Sequence, residues 1–128
     1  MALTLANSAR SAAADAVVDL LDGGAGDATG DINWQTAGAV SLGTSNLANP
    51  AFGAASNGVC TAGAIAQAVV AGSSNPSTIA IAVFRNRANT EVFRCAVGTS
   101  GSDINLSSVA VNNGDTIDIT SLNYTQPA

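Results

Sequence analysis

The chain has no histidine and no lysine among its 128 residues, and only five aromatic side chains. Without histidine it lacks the imidazole base of serine and cysteine triads, and without lysine it lacks Schiff-base, P-loop and Ser-Lys chemistry. A carboxylate pair could still act on a glycoside, but seven of the nine acids fall in a predicted helix, a glycine-rich segment or turns. The composition therefore predicts a protein that is not an enzyme and has no catalytic residue and no cofactor.

Positive charge is also scarce. It comes from Arg10, Arg85, Arg87 and Arg94 alone, against nine acids, so the net charge is −5. Nucleic-acid binding needs clustered Lys and Arg, so we predict no nucleic-acid partner. No run approaches the roughly 18 apolar residues of a membrane span, and no charged n-region precedes an apolar stretch, so we predict no membrane association and no secretory signal.

Large apolar side chains are few. Alanine accounts for 26 of the 60 hydrophobic residues, so the core of this chain must be thin. A small domain with a thin core has little stability to spare, and self-association or docking on a partner commonly supplies the rest. We therefore expect a homo-oligomer.

The clearest local pattern is an amphipathic helix near the N-terminus. Apolar residues recur there with the i, i+3, i+4, i+7 spacing of one helix face. Asn7 or Ser8 is predicted to cap its start, and Gly23 with Gly24 to end it. The predicted stripe consists of Ala9, Ala12, Ala13, Ala16, Val17, Leu20 and Leu21.

After the glycine-rich segment 23–30, the chain consists of β-prone runs separated by turn residues. We predict a mainly β fold, an antiparallel β-sandwich or jelly-roll-like domain preceded by one N-terminal α-helix. Residues 1–128 form one domain, with an arm and helix at 1–24 and the sandwich at 31–125. The predicted strands are residues 32–36, 39–42, 59–70, 78–86, 90–97, 107–111 and 116–124.

Some runs carry a more specific prediction. Residues 87–89 and the pair Asn113-Gly114 are predicted hairpin turns, the latter of type I′. Residues 79–84 are apolar on both faces and suit a central strand, whereas residues 59–70 would also permit a helix. Asp27 and Asp31 could hold a weak Ca²⁺ site, but a plain flexible linker is the favoured interpretation, so no metal site is predicted.

The sequence allows two states for the cysteine pair and two roles for the tryptophan. Cys60 and Cys95 are the only possible disulfide, although buried thiols are favoured in apolar, strand-like surroundings. Trp34 either packs in the sheet or anchors a partner interface.

Five segments, in order along the chain, carry a recognisable pattern. They are residues 4–7 (TLAN), 12–24 (AAADAVVDLLDGG), 50–59 (PAFGAASNGV), 97–106 (VGTSGSDINL) and 114–122 (GDTIDITSL). In these segments the chain resembles a family of small virion proteins of tailed phages, encoded typically beside the major capsid gene. It departs from the family pattern at residues 31–47, where a strand bearing tyrosine and proline is expected.

The resemblance implies a non-enzymatic capsid decoration, or cement, protein. Such a protein binds and stabilises the major capsid protein shell, commonly as a trimer at threefold positions. It would lie on the capsid surface of a virion assembled in the bacterial host cytoplasm. Without lysine, this chain cannot supply the amine of a lysine–asparagine cross-link, so any reinforcement must be non-covalent.

Contacts with such partners are predicted at the N-terminal arm, the helix, the tryptophan and the arginine hairpin. For the arginines, a solvated hairpin paired with Glu91 competes with a basic contact to an acidic neighbour. A receptor- or glycan-binding module of a head fibre or tail structure is the alternative function. The predicted interface residues are Leu3, Leu5, Ala12, Ala16, Val17, Leu20, Leu21, Trp34, Arg85, Arg87 and Arg94.

Overall fold

One α-helix precedes a series of short strands. The computed structural model describes residues 3–72 and 76–126, and the other residues of the predicted 1–128 domain lie outside these ranges. The helix α1 spans Asn7–Asp19 and continues as one 3₁₀ turn, Leu20–Asp22. The predicted class, mainly β with an N-terminal helix, is confirmed. The strands are β1 (Asp31–Gln35), β2 (Ser41–Asn46), β3 (Val59–Thr61), β4 (Ala68–Val69), β5 (Ser77–Thr78), β6 (Ile81–Arg85), β7 (Glu91–Gly98), β8 (Ile104–Asn105), β9 (Ala110–Val111), β10 (Thr116–Ile117) and β11 (Asn123–Thr125).

Five strands form a curled sheet in the order β2-β1-β6-β7-β8. Its neighbours are antiparallel except for β7 and β8, which run parallel over two residue pairs. The central position of β6 confirms the prediction for residues 79–84. The turn between β6 and β7 confirms the hairpin at residues 87–89, where Asn89 takes the left-handed φ of 60°. The remaining strands pair as three ribbons, β3 with β11, β4 with β10 and β5 with β9, in place of a second continuous sheet.

A shared hydrophobic core joins the helix, the sheet and the ribbons. On the inner sheet face, Trp34 of β1 pairs in register with the small Ala82 of β6, and Ile32 pairs with Phe84. Trp34 is fully buried, and its Nε1 donates a 2.9 Å hydrogen bond to the buried Ser45 Oγ. The indole N–H is therefore satisfied inside the core, and Trp34 has the packing role rather than the role of an interface anchor.

The helix docks on its own chain with a face that differs from the predicted stripe. Ala14, Val18 and Leu21 are the helical residues in the core, and of these only Leu21 belongs to the predicted stripe. Four polar side chains next to them bind the backbone of later segments. The bonds are Arg10 Nη2 to Gln126 O (2.9 Å), Gly58 N to Ser11 Oγ (3.0 Å), Ala55 N to Asp15 Oδ1 (2.8 Å) and Ala51 N to Asp22 Oδ1 (2.9 Å).

The prediction is wrong for the start of the helix and confirmed for its end. The predicted cap at Asn7 or Ser8 is wrong, because Ala6 occupies the N-cap position with extended dihedral angles and no side chain caps the turn. The glycine stop is confirmed. Gly24 has a φ of +86°, and a Cβ there would lie 3.1 Å from the backbone nitrogen of Ala88, so both the dihedral angle and the contact favour glycine.

Two other local predictions are wrong. Residues 59–70 form neither one strand nor a helix, but the short strands β3 and β4 with an irregular segment between them, because each pairs with a different distant strand. The turn at Asn113-Gly114 is not type I′, since only Gly114 takes a positive φ (93°). It is not a hairpin either, because the flanking strands β9 and β10 pair with β5 and β4.

Both cysteines are free thiols, in agreement with the favoured alternative to a disulfide. The interpretation of Asp27 and Asp31 as a calcium pair does not hold. Asp31 is buried in an ion pair with Arg85, and the backbone carbonyl of Asp27 accepts a hydrogen bond from Arg87 Nε at 2.8 Å.

Candidate interaction surfaces

The helix exposes the apolar face that lies opposite its docked face. Residues 9, 12, 16 and 20 are all exposed, and Leu20 has 58% of its surface in solvent. Because 3.6 residues make one turn, these positions form one stripe along the helix. We call Ala9, Ala12, Ala16 and Leu20 the outer helix face. Most of the stripe that the sequence marks as apolar is therefore uncovered in the isolated chain.

The other predicted apolar contact residues fall into three groups by their exposure. Leu3 lies before the helix and is 85% exposed, whereas Leu5 and Val17 are half-buried. Leu21 is fully buried, as is Trp34. A side chain without solvent exposure cannot contact a partner unless the fold opens, so these two residues are withdrawn from the predicted surface.

The three arginines of the predicted basic hairpin have separate partners within the chain. Arg85 makes a two-pronged ion pair with Asp31, with N–O distances of 2.7 and 3.0 Å. Arg94 binds the exposed carboxylate of Glu91, with 3.0 Å between Nε and Oε2, and this contact lowers the pKa of Glu91. Pairing with Glu91 is thus confirmed for Arg94 alone. Arg85 and Arg94 would have to break an ion pair to contact an acidic neighbour, whereas Arg87 donates its Nε to the Asp27 carbonyl and has no carboxylate partner within residues 3–72 and 76–126.

The region that departs from the family pattern, residues 31–47, holds a polar network on the outer sheet face. Asn33 is 5% exposed, and its Nδ2 donates to Ser41 Oγ at 2.9 Å. Gln35 Nε2 donates in turn to Asn33 Oδ1 at 2.7 Å. Buried amides need such partners to avoid the cost of lost hydration. This network stabilises the β1–β2 hairpin itself.

A groove at one side of the sheet is a feature that the sequence did not predict. Its volume is about 520 Å³, and it lies between the end of the sheet at β7 and β8 and the ribbon strand β11. Four aromatic rings line it, and three of them are in contact: Phe93 stacks on Phe84 with 4.5 Å between ring centroids and lies 5.4 Å from Tyr124. We call this the edge groove. Its further lining residues are Phe52, Arg94, Cys95, Asp103, Ile104, Leu122, Asn123 and Thr125.

The chemistry of the edge groove is that of a binding surface. Burial, with a smaller contribution from the charge of Asp103, raises the pKa of the Cys95 thiol to about 11, so it is a weak nucleophile at neutral pH. The Asp103 carboxylate accepts a hydrogen bond from the Ala96 N–H at 3.0 Å. Across the described ranges, no group of three or more potential metal ligands comes together. The alternation of Phe93, Cys95 and Val97 along β7 is a sequence signal for an inward-facing side of this strand. The gap between β7 and β11 has no such signal, because it depends on where both strands lie.

No helix within residues 3–72 and 76–126 is long and apolar enough to cross a membrane. Comparisons with protein-family models, with characterised proteins and with solved structures give no match.

Proposed function

We propose that this chain is a non-enzymatic virion structural protein of a tailed phage, a decoration or cement protein that binds the major capsid protein. The outer helix face is the observation that carries this proposal. An apolar stripe on a monomer marks a contact surface when it lies uncovered on a rigid element. In this assignment the protein sits on the capsid surface as a homo-oligomer, with a trimer favoured.

The outer helix face suits tight docking because of its shape and its rigidity. Three alanines present little relief, so another backbone can approach closely. The docked face of the same helix is fixed by the polar bonds of Arg10, Ser11, Asp15 and Asp22. A partner therefore binds a preformed surface and loses little conformational entropy on binding.

Self-association strengthens a surface of this modest size. One helix face presents few large side chains, so each contact with the shell is expected to be weak. Linking several copies makes the second and third contacts intramolecular, which raises the overall affinity by a factor of about 10² to 10⁴. The thin core and the small contact surface both favour an oligomeric decoration protein.

The test is binding to assembled shells of the major capsid protein, measured by co-sedimentation. The variant Ala12→Arg/Ala16→Arg places two large charges on the outer helix face and keeps good helix formers. The matched control, Val40→Arg/Val69→Arg, changes two exposed valines far from the helix in sequence, which are 53% and 62% exposed. We expect the helix variant to lose shell binding at least tenfold while the control binds like the unmodified protein. Equal binding by both variants would refute the docking assignment.

A receptor- or glycan-binding module of a head fibre or tail structure is the second candidate. The edge groove favours it, because aromatic rings beside Arg94, Asp103 and Asn123 combine apolar contact with polar groups. A glycan array separates the two functions. Reproducible sugar binding that Tyr124→Ala abolishes, together with unchanged shell binding by the helix variant, would support this second candidate.

A further inference from the structure

Strand β7 has a free edge on the side away from β6. It runs over Glu91–Gly98 but pairs with β8 only at Val97 and Gly98. The Ala96 N–H points outwards, since it donates to the Asp103 side chain instead of to β6. By the alternation of a β-strand, the N–H of Arg94 also points outwards, and no backbone group in the described ranges pairs with it.

The opposite edge of the same sheet is covered. There the Leu42 carbonyl of β2 accepts a hydrogen bond from Ala71 N at 2.8 Å, and the Asn46 carbonyl accepts one from Ala66 N at 2.9 Å. Folded proteins generally cover or blunt their sheet edges, because an open row of N–H and C=O groups pairs with other chains. Asp103 covers the N–H of Ala96, so the open edge consists of residues 92–95, and it differs in this respect from the covered edge of the same sheet.

The edge groove lies directly beneath this free edge. Phe93 and Cys95 line the groove, so a chain paired to β7 would direct alternate side chains into it. Only an extended polypeptide matches a row of backbone donors and acceptors, and the aromatic lining requires an apolar side chain at the inward positions. The site is therefore complementary to an extended segment with at least one apolar residue.

Charge narrows the choice of segment. The ionic groups at this edge are already engaged, Arg94 with Glu91 and Asp103 with the Ala96 N–H. The bond from Ala96 leaves the charge of the Asp103 carboxylate uncompensated, so the edge disfavours an acidic segment and accommodates a neutral one.

The chain itself contains a segment of this kind. Residues 3–6, Leu-Thr-Leu-Ala, are neutral and precede the helix without regular secondary structure, and Ala6 has extended dihedral angles. Leu3 is 85% exposed, the highest value among the large hydrophobic residues described. We propose that residues 3–6 of a second copy add as a strand to the free edge of β7, with Leu3 inserted into the edge groove.

This contact joins two different surfaces, an arm and an edge, so each copy can donate to one neighbour and accept from another. Repetition about a symmetry axis closes such a contact into a ring. The inference rests on the proposed self-association but uses residues away from the outer helix face. Assembly and shell binding can therefore be disrupted separately.

A proline at position 94 tests the edge. Its ring removes the outward N–H, a loss that an edge position of a strand tolerates, whereas Arg94→Ala removes the same side chain and keeps the N–H. Sedimentation velocity over a range of concentrations should show that the unmodified chain and Arg94→Ala form oligomers, whereas Arg94→Pro and Leu3→Asp sediment as monomers with native circular dichroism. An unmodified chain that stays monomeric, or a folded Arg94→Pro oligomer of unchanged affinity, would overturn the proposal.

Cross-linking supplies positive support. Cys95 lines the groove, so Leu3→Cys should form a disulfide with the Cys95 of another copy under mild oxidation, whereas Thr4→Cys should not. If the Leu3→Cys variant forms this disulfide only within one copy, the proposed insertion of Leu3 into the groove of another copy would be contradicted. If Ala12→Arg/Ala16→Arg still forms oligomers but fails to bind shells, both the assembly contact and the docking face are supported. If it forms oligomers and binds shells normally, the docking assignment fails while this inference stands.

Discussion

Leu20 and Leu21 are neighbours in the chain, and the structure assigns them to opposite environments. Leu21 is fully buried against the sheet and ribbons, whereas Leu20 is 58% exposed on the outer helix face. The same substitution, leucine to alanine, at both positions therefore tests which face of the helix docks within the chain.

The expected magnitudes follow from the area that each side chain removes from water. Three carbons at roughly 0.8 kcal/mol each give about 2.4 kcal/mol of transfer free energy for full burial. The cavity left in a packed core raises the cost of Leu21→Ala to about 3–4 kcal/mol. Leu20 has only the remaining 42% of its surface covered, so Leu20→Ala should cost less than about 1 kcal/mol, with no closed cavity.

Urea unfolding measures both costs, with fluorescence of the buried Trp34 as the probe and far-UV circular dichroism as a second signal. The scans are run at several protein concentrations, since contacts between copies would add stability at Leu20. Equal costs at low concentration, or a larger cost for Leu20→Ala, would mean that Leu20 is buried at least as deeply as Leu21 and would remove the basis for the outer helix face.

Three further predictions concern the core, the ion pairs and one thiol. Trp34→Phe should lower the free energy of unfolding by about 1–3 kcal/mol because the hydroxyl of Ser45 loses its buried donor, and a double-mutant cycle with Ser45→Ala should show positive coupling; additive costs would contradict the bond. Asp31→Asn should cost about 2–4 kcal/mol because it leaves a largely buried guanidinium without its carboxylate, whereas Glu91→Gln breaks a solvent-exposed pair and should leave the urea midpoint almost unchanged; similar urea midpoints for the two variants would refute this difference. Since burial raises the pKa of Cys95 from 9.0 to about 11, the folded chain retains that proton where the unfolded chain loses it, so stability should fall between pH 9 and pH 11; Cys95→Ala should show a shallower fall, and an identical slope would refute the assignment.

The sequence predicted those parts of the fold whose signals are local. The apolar run of β6 gave its central place, the polar turn at residues 87–89 gave the β6–β7 hairpin, and the paired glycines gave the end of the helix. Each of these elements depends on neighbours within a few residues. The β-class of the fold followed from the same kind of signal.

The docked face of the helix could not be predicted because it depends on distant backbone groups. Asp15 and Ser11 are polar, and their place next to the core depends on the N–H groups of residues 55 and 58. Periodicity counts apolar residues only, so it marked the face that the structure leaves uncovered. The short ribbons escaped prediction for a similar reason, since β3, β4 and β5 each pair with a strand at least 30 residues later.

The predicted contact residues differ in their exposure. Ala12, Ala16, Leu20 and Leu3 are exposed, as a contact surface requires, whereas Trp34 and Leu21 are core residues. The edge groove had no counterpart in the sequence analysis, because a gap between two strands depends on how both are placed and not on either sequence alone.

Imaging of phage particles assembled with and without this protein tests the central claim most directly. Difference density between the two particles locates the protein at low resolution. We expect density to disappear from the outer surface of the head, at symmetry-related positions over the capsid shell. Density lost from the tail or from a head fibre, with an unchanged shell surface, would contradict it.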